Sequence, residues 1–260
     1  MEGLRVKTIL TIAASDCSAG AGIQQDLKTI TSLGHYGATA ITALTAQNTC
    51  GVTDVMVVPT PFFRRQLEAL AEDLSIDAVK IGVVPNRGIA EAVRETVRRL
   101  GVPTVLDPVL VSTSGWQFLD EACIEYIKER LFPLCTLVTP NLPEALRLLG
   151  EEALTEDTGK QLVRRFGTSF LLKGGHREGA EAVDWLFTKE GEALSYSLPR
   201  IETHNLHGTG CTLSSAIATL LATGLPLTES VRLGKLKTQE GIRRGKDLSI
   251  GKGNGPLWLP

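Results

Sequence analysis

Short apolar runs alternate along the chain with longer stretches whose apolar positions return at helical spacing. That rhythm predicts βαβ units around a mainly parallel sheet: strands covered on both faces read as continuous Val, Ile and Leu, while crossover helices bury one stripe. The first run spans 8–13. A loop of small residues, 15–22, follows it, and Ile23, Leu27, Ile30 and Leu33 then recur at helical spacing up to Gly34, a residue that favours helix ends. Further strands are expected at 40–44, 55–58, 78–81, 104–106, 137–138 and 170–172, with helices at 62–74, 89–100, 121–131 and 142–149. Residues 183–187 and 193–197, split by Thr188-Lys189-Glu190-Gly191-Glu192, read as an antiparallel hairpin. Two helices, 209–222 and 227–244, come last, kept apart by Gly224 and Pro226. With no long linker, low-complexity tract or internal repeat, the pattern predicts one α/β domain over residues 1–260.

Composition narrows the function by exclusion. The chain is 43% hydrophobic and 22% charged, as an ordinary globular protein is. Its 27 Lys+Arg against 29 Asp+Glu give a net charge of −2 and no basic face, which disfavours nucleic acid as a partner. Cys17, Cys50, Cys123, Cys135 and Cys211 are scattered and form no C-x-x-C pair, so no disulfide framework is expected. The opening Met1-Glu2-Gly3-Leu4-Arg5 lacks the pattern of a secretory signal. The most apolar later stretch, 216–227, is interrupted by Thr219, Thr223, Gly224 and Pro226, short of the roughly 20 residues that span a bilayer. No membrane association and a reducing cytoplasmic setting are the expectation.

In open parallel sheets ligands sit beyond the carboxyl ends of the strands, so chemistry is sought at Ala14-Ser15-Asp16, Lys80-Ile81-Gly82, Asp107-Pro108, Thr139-Pro140-Asn141 and Lys173-Gly174-Gly175-His176. The sharpest stretch is His207-Gly208-Thr209-Gly210-Cys211, where two glycines precede a helical pattern. Unpaired N–H groups at a helix start hold a phosphate or a developing negative charge, and the same field lowers a cysteine's pKa; a small residue packed at a helix entry is the alternative for Cys211. Asn141-Leu142-Pro143-Glu144 reads first as a helix cap, and also supplies oxygen ligands of the kind Mg²⁺ takes. Asp107 before a proline is either a turn residue or part of the same charge cluster, and Lys173 either a solvated loop lysine or a phosphate contact. The loop 15–22 partly matches a dinucleotide fingerprint, but Gln25 stands where Gly or Ala is required, and no Walker A lysine follows its last glycine. His204, His207 and Cys211 have no obvious fourth partner for zinc.

Taken in order, these stretches resemble the hydroxymethylpyrimidine/phosphomethylpyrimidine kinases of thiamine biosynthesis, within the ribokinase-like superfamily. The resemblance is carried by 10–28 (LTIAASDCSAGAGIQQDLK), 40–51 (AITALTAQNTCG), 77–82 (DAVKIG), 139–145 (TPNLPEA), 172–176 (LKGGH) and 207–214 (HGTGCTLS). Sugar-kinase relatives typically place Asp where this chain has Cys211. The resemblance implies a three-layer α/β/α fold with a central, mostly parallel sheet, ATP and Mg²⁺ as cofactors, a small-molecule pyrimidine substrate and a homodimer. It implies Cys211 as catalytic base, with Gly208, Thr209 and Gly210 as the anion hole. Lys173 and Asn141 match phosphate contacts, and Asp107 and Glu144 match metal-linked acids. Asp26 and Gln47 match polar residues of the pyrimidine pocket, with Ala14, Val83 and Val109 at its apolar wall. The implied reaction moves the γ-phosphoryl group of ATP to the hydroxymethyl oxygen, then a second one to the resulting monophosphate.

Ala14 and Ala19 stand where the family commonly has Gly, and Val83 where Met is common, so a reshaped acceptor pocket with unchanged phosphate machinery is expected. The nearest rival reading is a pyridoxal or pyridoxine kinase; a non-catalytic pyrimidine sensor and a Rossmann oxidoreductase stand further off.

Overall fold

The structure is a computed structural model that describes residues 6–110, 121–175 and 179–259; the opening segment 1–5 and His176, both considered above, lie outside the described residues. Among the described residues, nine strands form one sheet. β1 (Thr8–Asp16) pairs in parallel with β2 (Tyr36–Asn48) on one side and β4 (Ala78–Ile81) on the other. Parallel pairing continues through β5 (Thr104–Leu106), β6 (Leu137–Val138) and β7 (Ser169–Lys173). Antiparallel strands flank this block: β3 (Gly51–Val57) on β2, and the hairpin β8 (Glu181–Phe187) and β9 (Ala193–Pro199) on β7.

Side chains alternate across a strand, so each central strand feeds two cores. Leu10, Ile12, Val79, Ile81, Leu106, Val138, Phe170 and Leu172 join one cluster, beneath α2 (Thr60–Asp73), α3 (Arg87–Leu100), α4 (Glu121–Arg130), α5 (Leu142–Leu149) and α6 (Thr158–Phe166). Ile9, Ala78, Val105, Leu137 and Leu171 point the other way, to α1 (Gly22–Ser32), α7 (Thr209–Ala222) and α8 (Leu227–Gly245). The result is a three-layer α/β/α arrangement.

Strands 78–81, 104–106 and 137–138 fall where the apolar runs placed them, because strands buried on both faces leave an uninterrupted signature. The sequence reading missed α6, whose buried face carries only Leu162 and Phe166 as large apolar residues, too few to display a period. It also shortened β2, which continues past Leu44 with alternating exposure into Gln47 and Asn48. Register shifts interrupt both strands as they near the carboxyl end of β1, between Ala13 and Ser15 and between Ala46 and Gln47. Such shifts re-aim side chains next to a site.

Candidate active site

Strands β1, β4, β5, β6 and β7 run parallel and side by side, so their carboxyl ends open on one edge of the sheet. Their polar ends meet the start of α7. Gly208 caps that helix at φ 85°, and a β-carbon there would lie 2.0 Å from the Gly20 carbonyl oxygen, so the two glycine loops interlock. No side chain caps α7; the Thr209 N–H goes to the Leu206 carbonyl at 3.3 Å, and the N–H groups that follow it in the first turn have no capping side chain. A β-carbon on Gly210 would come within 3.1 Å of Asp107 Oδ2 and 3.3 Å of Lys173 Nζ. The helix start and the acid–lysine pair thus approach to glycine width.

Lys173 Nζ donates to Asp107 Oδ1 at 2.6 Å, with the two side chains only 16% and 3% exposed. Thr139 donates its hydroxyl to the same oxygen at 3.2 Å. Burial pulls the Lys173 ammonium down, but Asp107 and Glu144 outweigh it and hold the group above the ordinary lysine value. The solvated-loop reading of Lys173 therefore falls. Asn141 and Glu144 form a full capping box on α5: the Asn141 side chain accepts from Glu144 N and Glu144 Oε2 accepts from Asn141 N, both at 2.8 Å. Capping also delivers the Glu144 carboxyl to the pair. Burial, helped by the Asp107 charge and opposed by Lys173, pushes it up to about 7.

Two carboxyls therefore share one ammonium, and the all-oxygen donors beside it suit a hard divalent cation that keeps its other places for water and phosphate. No group of three or more His, Cys, Asp or Glu among the described residues is arranged to hold a metal. Asp107 and Glu144 accordingly fit a cation shared with a nucleotide, not one caged by protein.

Two expectations need correction. The helix field was expected to acidify Cys211. Instead burial pushes the thiol up to about 11; Asp26 and Asp107 add to this, and neither Lys80 nor the Gly22 N–H donated to sulfur compensates. Cys211 is a neutral thiol at pH 7. Asp26 was expected to line the acceptor pocket, yet it is fully enclosed, accepting from Lys80 Nζ at 2.8 Å, Thr11 Oγ1 at 2.5 Å and Ser215 Oγ at 2.6 Å. Position 26 shares the inward stripe of α1 with Ile23 and Ile30, which is why it is sealed. Lys80 was missed as a partner. Its signature was a lone charge in the strand Ala78–Ile81, a place where a lysine requires a buried acid.

Ala14, Val83 and Val109, expected at the apolar wall, join Ala43 and Val55 in one small cluster. Gln47 stands further along β2, half-buried. Asp16 and His207, named above only as parts of a strand end and a glycine loop, meet beside Gln47. Asp16 accepts at Oδ1 from Ser18 N and Oγ, at Oδ2 from Gly20 N and Ala21 N, and contacts His207 Nε2 at 2.9 Å. Although burial opposes it, the bonds from His207 and Ser18 hold the Asp16 carboxyl below the usual range.

The phosphomethylpyrimidine kinase family model matches residues 16–258. A hydroxymethylpyrimidine/phosphomethylpyrimidine kinase of Salmonella typhimurium is 45% identical, over 95% of each chain. The crystal structure of a phosphomethylpyrimidine kinase from Clostridium difficile superposes with a TM-score of 0.78 at 39% identity, covering 91% of this chain and 99% of that one. The pyridoxal kinase of Staphylococcus aureus, in complex with AMP-PCP and pyridoxal, gives 0.86 at 30% identity, covering 97% and 93%. Matched by the family model over residues 16–258 and by a relative 45% identical over nearly its whole length, this chain belongs to the phosphomethylpyrimidine kinase family.

Proposed function

We propose that the protein is a one-domain cytoplasmic kinase that uses ATP and Mg²⁺ to phosphorylate 4-amino-5-hydroxymethyl-2-methylpyrimidine, and then its monophosphate to the diphosphate, in thiamine biosynthesis. The observation that carries the reading is the meeting of Lys173, Asp107 and Glu144 with the uncapped start of α7, beside an apolar wall of ring size. Phosphoryl transfer needs alignment and charge compensation more than covalent help. The first-turn N–H groups of α7 after Thr209, beginning with Gly210, lie where negative charge builds on the migrating group, and Lys173 neutralises phosphate oxygens once it leaves Asp107. Asn141 holds the Glu144 carboxyl toward the phosphates. Asp107 and Glu144 would hold Mg²⁺, which would supply Lewis-acid neutralisation of phosphate charge. Ala14, Val83 and Val109 pack the ring, and Gln47 reads its polar edge. Cys211, neutral at rest, acts as base only after giving its own proton to solvent; the thiolate then takes the acceptor hydroxyl's proton as that oxygen bonds to phosphorus and the bond to the ADP oxygen breaks.

The fold similarity to a pyridoxal kinase keeps a flat pyridine alcohol as the second reading of the acceptor. ADP release with Mg-ATP, measured with the hydroxymethylpyrimidine, its monophosphate and pyridoxal, separates them. Turnover of both pyrimidines with kcat/KM at least about tenfold above pyridoxal is the expected result; no ADP from either pyrimidine overturns the reading. The apolar side chains Leu44, Met56 and Val57, exposed on β2 and the edge strand β3, support a homodimer, since edge strands with apolar side chains invite pairing. Sedimentation at micromolar concentration tests it: a monomer mass excludes the dimer.

A further inference from the structure

His207 Nε2 has two neighbours and one bonding direction to give. Asp16 Oδ2 lies 2.9 Å from it and the Gln47 carboxamide nitrogen is placed at 3.2 Å, while the other end of that carboxamide lies 3.2 Å from Thr45 Oγ1. Oxygen and nitrogen of a carboxamide have the same shape, so proton counting decides which faces which. Asp16 already accepts from two backbone N–H groups at Oδ2 and from Ser18 N and Oγ at Oδ1, so it is an acceptor only. The nitrogen facing it therefore carries a proton. A protonated Nε2 has no lone pair for an amide N–H, so the Gln47 oxygen must face the histidine. The rest of the chain then closes without conflict: the Gln47 nitrogen donates to Thr45 Oγ1, whose own proton goes to the Ser15 carbonyl at 3.1 Å. The ring cannot swing away easily, because it lies against Gly20, where a β-carbon would come 2.2 Å from His207 Cδ2.

We infer that His207, held by Asp16, is a positioning residue that fixes the orientation of the Gln47 carboxamide, so that the one N–H left over is offered to an acceptor atom of the substrate, a ring nitrogen with a free lone pair. This rests on the reading of Gln47 as part of the acceptor site. A substrate that presents C–H at that edge leaves the N–H unpaired, and one hydrogen bond of this kind corresponds to about tenfold in affinity.

The test is a double-mutant cycle on the full chain with Q47A, H207A and the double variant, reading acceptor KM and ATP KM separately. Each single change is expected to raise acceptor KM about tenfold with ATP KM unmoved, and the double variant to be no worse than Q47A. Multiplicative losses, or a parallel rise in ATP KM, overturn the inference. Monodeaza pyrimidines, with each ring nitrogen in turn replaced by C–H, supply the second arm: one is expected to lose about tenfold with the wild type and nothing with Q47A, whereas equal losses in both proteins count against it. Should H207A fail to fold, ¹⁵N-histidine NMR of the wild type reads the proton directly, and a bare His207 Nε2 refutes the inference. If no pyrimidine is phosphorylated, the functional reading fails, while the NMR result still decides where the proton sits.

Discussion

Two buried lysines stand on either side of Cys211 and do different work. Lys80 and Asp26 are both fully enclosed, and Thr11 and Ser215 complete the carboxylate. Lys173 keeps a partly exposed side chain beside a nearly enclosed Asp107, and Glu144 competes for the same ammonium. The first pair is satisfied and sealed. The second is short of positive charge and open on one side, which is the state of a site that awaits a cation or an anion. Burial of a charge alone does not mark function; an unbalanced charge beside solvent does.

The largest effect expected from this contrast is on stability. Lys80→Met strands the Asp26 carboxylate in the core and should cost about 3–5 kcal/mol, lowering Tm by about ten degrees, with Asp26→Asn restoring part of it. An unchanged thermal melt would show that the sealed pair holds nothing together. Lys173→Met should instead spare most of the stability and cut turnover about 10²–10³-fold, as loss of one preorganised charge contact does. If Lys80→Met and Lys173→Met shift Tm equally, the two sites are not different in kind.

Cys211→Ala is expected to slow the first transfer by about a hundredfold, the low end of general-base assistance, and the second much less, because there the acceptor is already an anion. Single-turnover rates reduced alike in both transfers would assign the thiol a positional role. A smaller effect concerns protons at the open site. The Glu144 carboxyl moves from its ordinary 4.5 up to about 7, so between those values the folded protein keeps a proton that the unfolded chain gives up. Its contribution to stability is therefore full below about 4.5 and lost as pH rises through 7, while Mg²⁺ must displace the same proton. Apparent Mg²⁺ affinity should fall about tenfold per unit below pH 7 and flatten above it. Glu144→Gln should bind Mg²⁺ more weakly with no such slope; a slope that persists in the variant would place the proton elsewhere. Smallest are the changes at the apolar wall: Ala14→Gly and Val83→Met are expected to move acceptor KM a few-fold and leave ATP KM alone, and constant acceptor KM in both would remove the reshaped pocket.

Much of this was legible beforehand because it depends on local order. Buried parallel strands betray themselves as apolar runs, and the capping box at Asn141 and Glu144 is spelled out within one helical turn. The state of Cys211 was not legible. Its neighbours Lys80, Asp26 and Asp107 come from β4, α1 and the end of β5, far apart in the chain, and their sum reverses what the helix start alone would do. Asp26 misled for a related reason: its place in a family motif said that it matters, and only its position on the inward stripe of α1 said to what.

The order of strands, the glycine loops and the residue types at the strand ends follow from the sequence, since alternation and helical period are written into adjacent positions. Which charges are paired, which thiol stays protonated and which way the Gln47 amide points were decided by the tertiary structure. These depend on the distance between groups in a low-dielectric interior and on how many protons a closed set of neighbours must share, and neither quantity exists until the chain has folded.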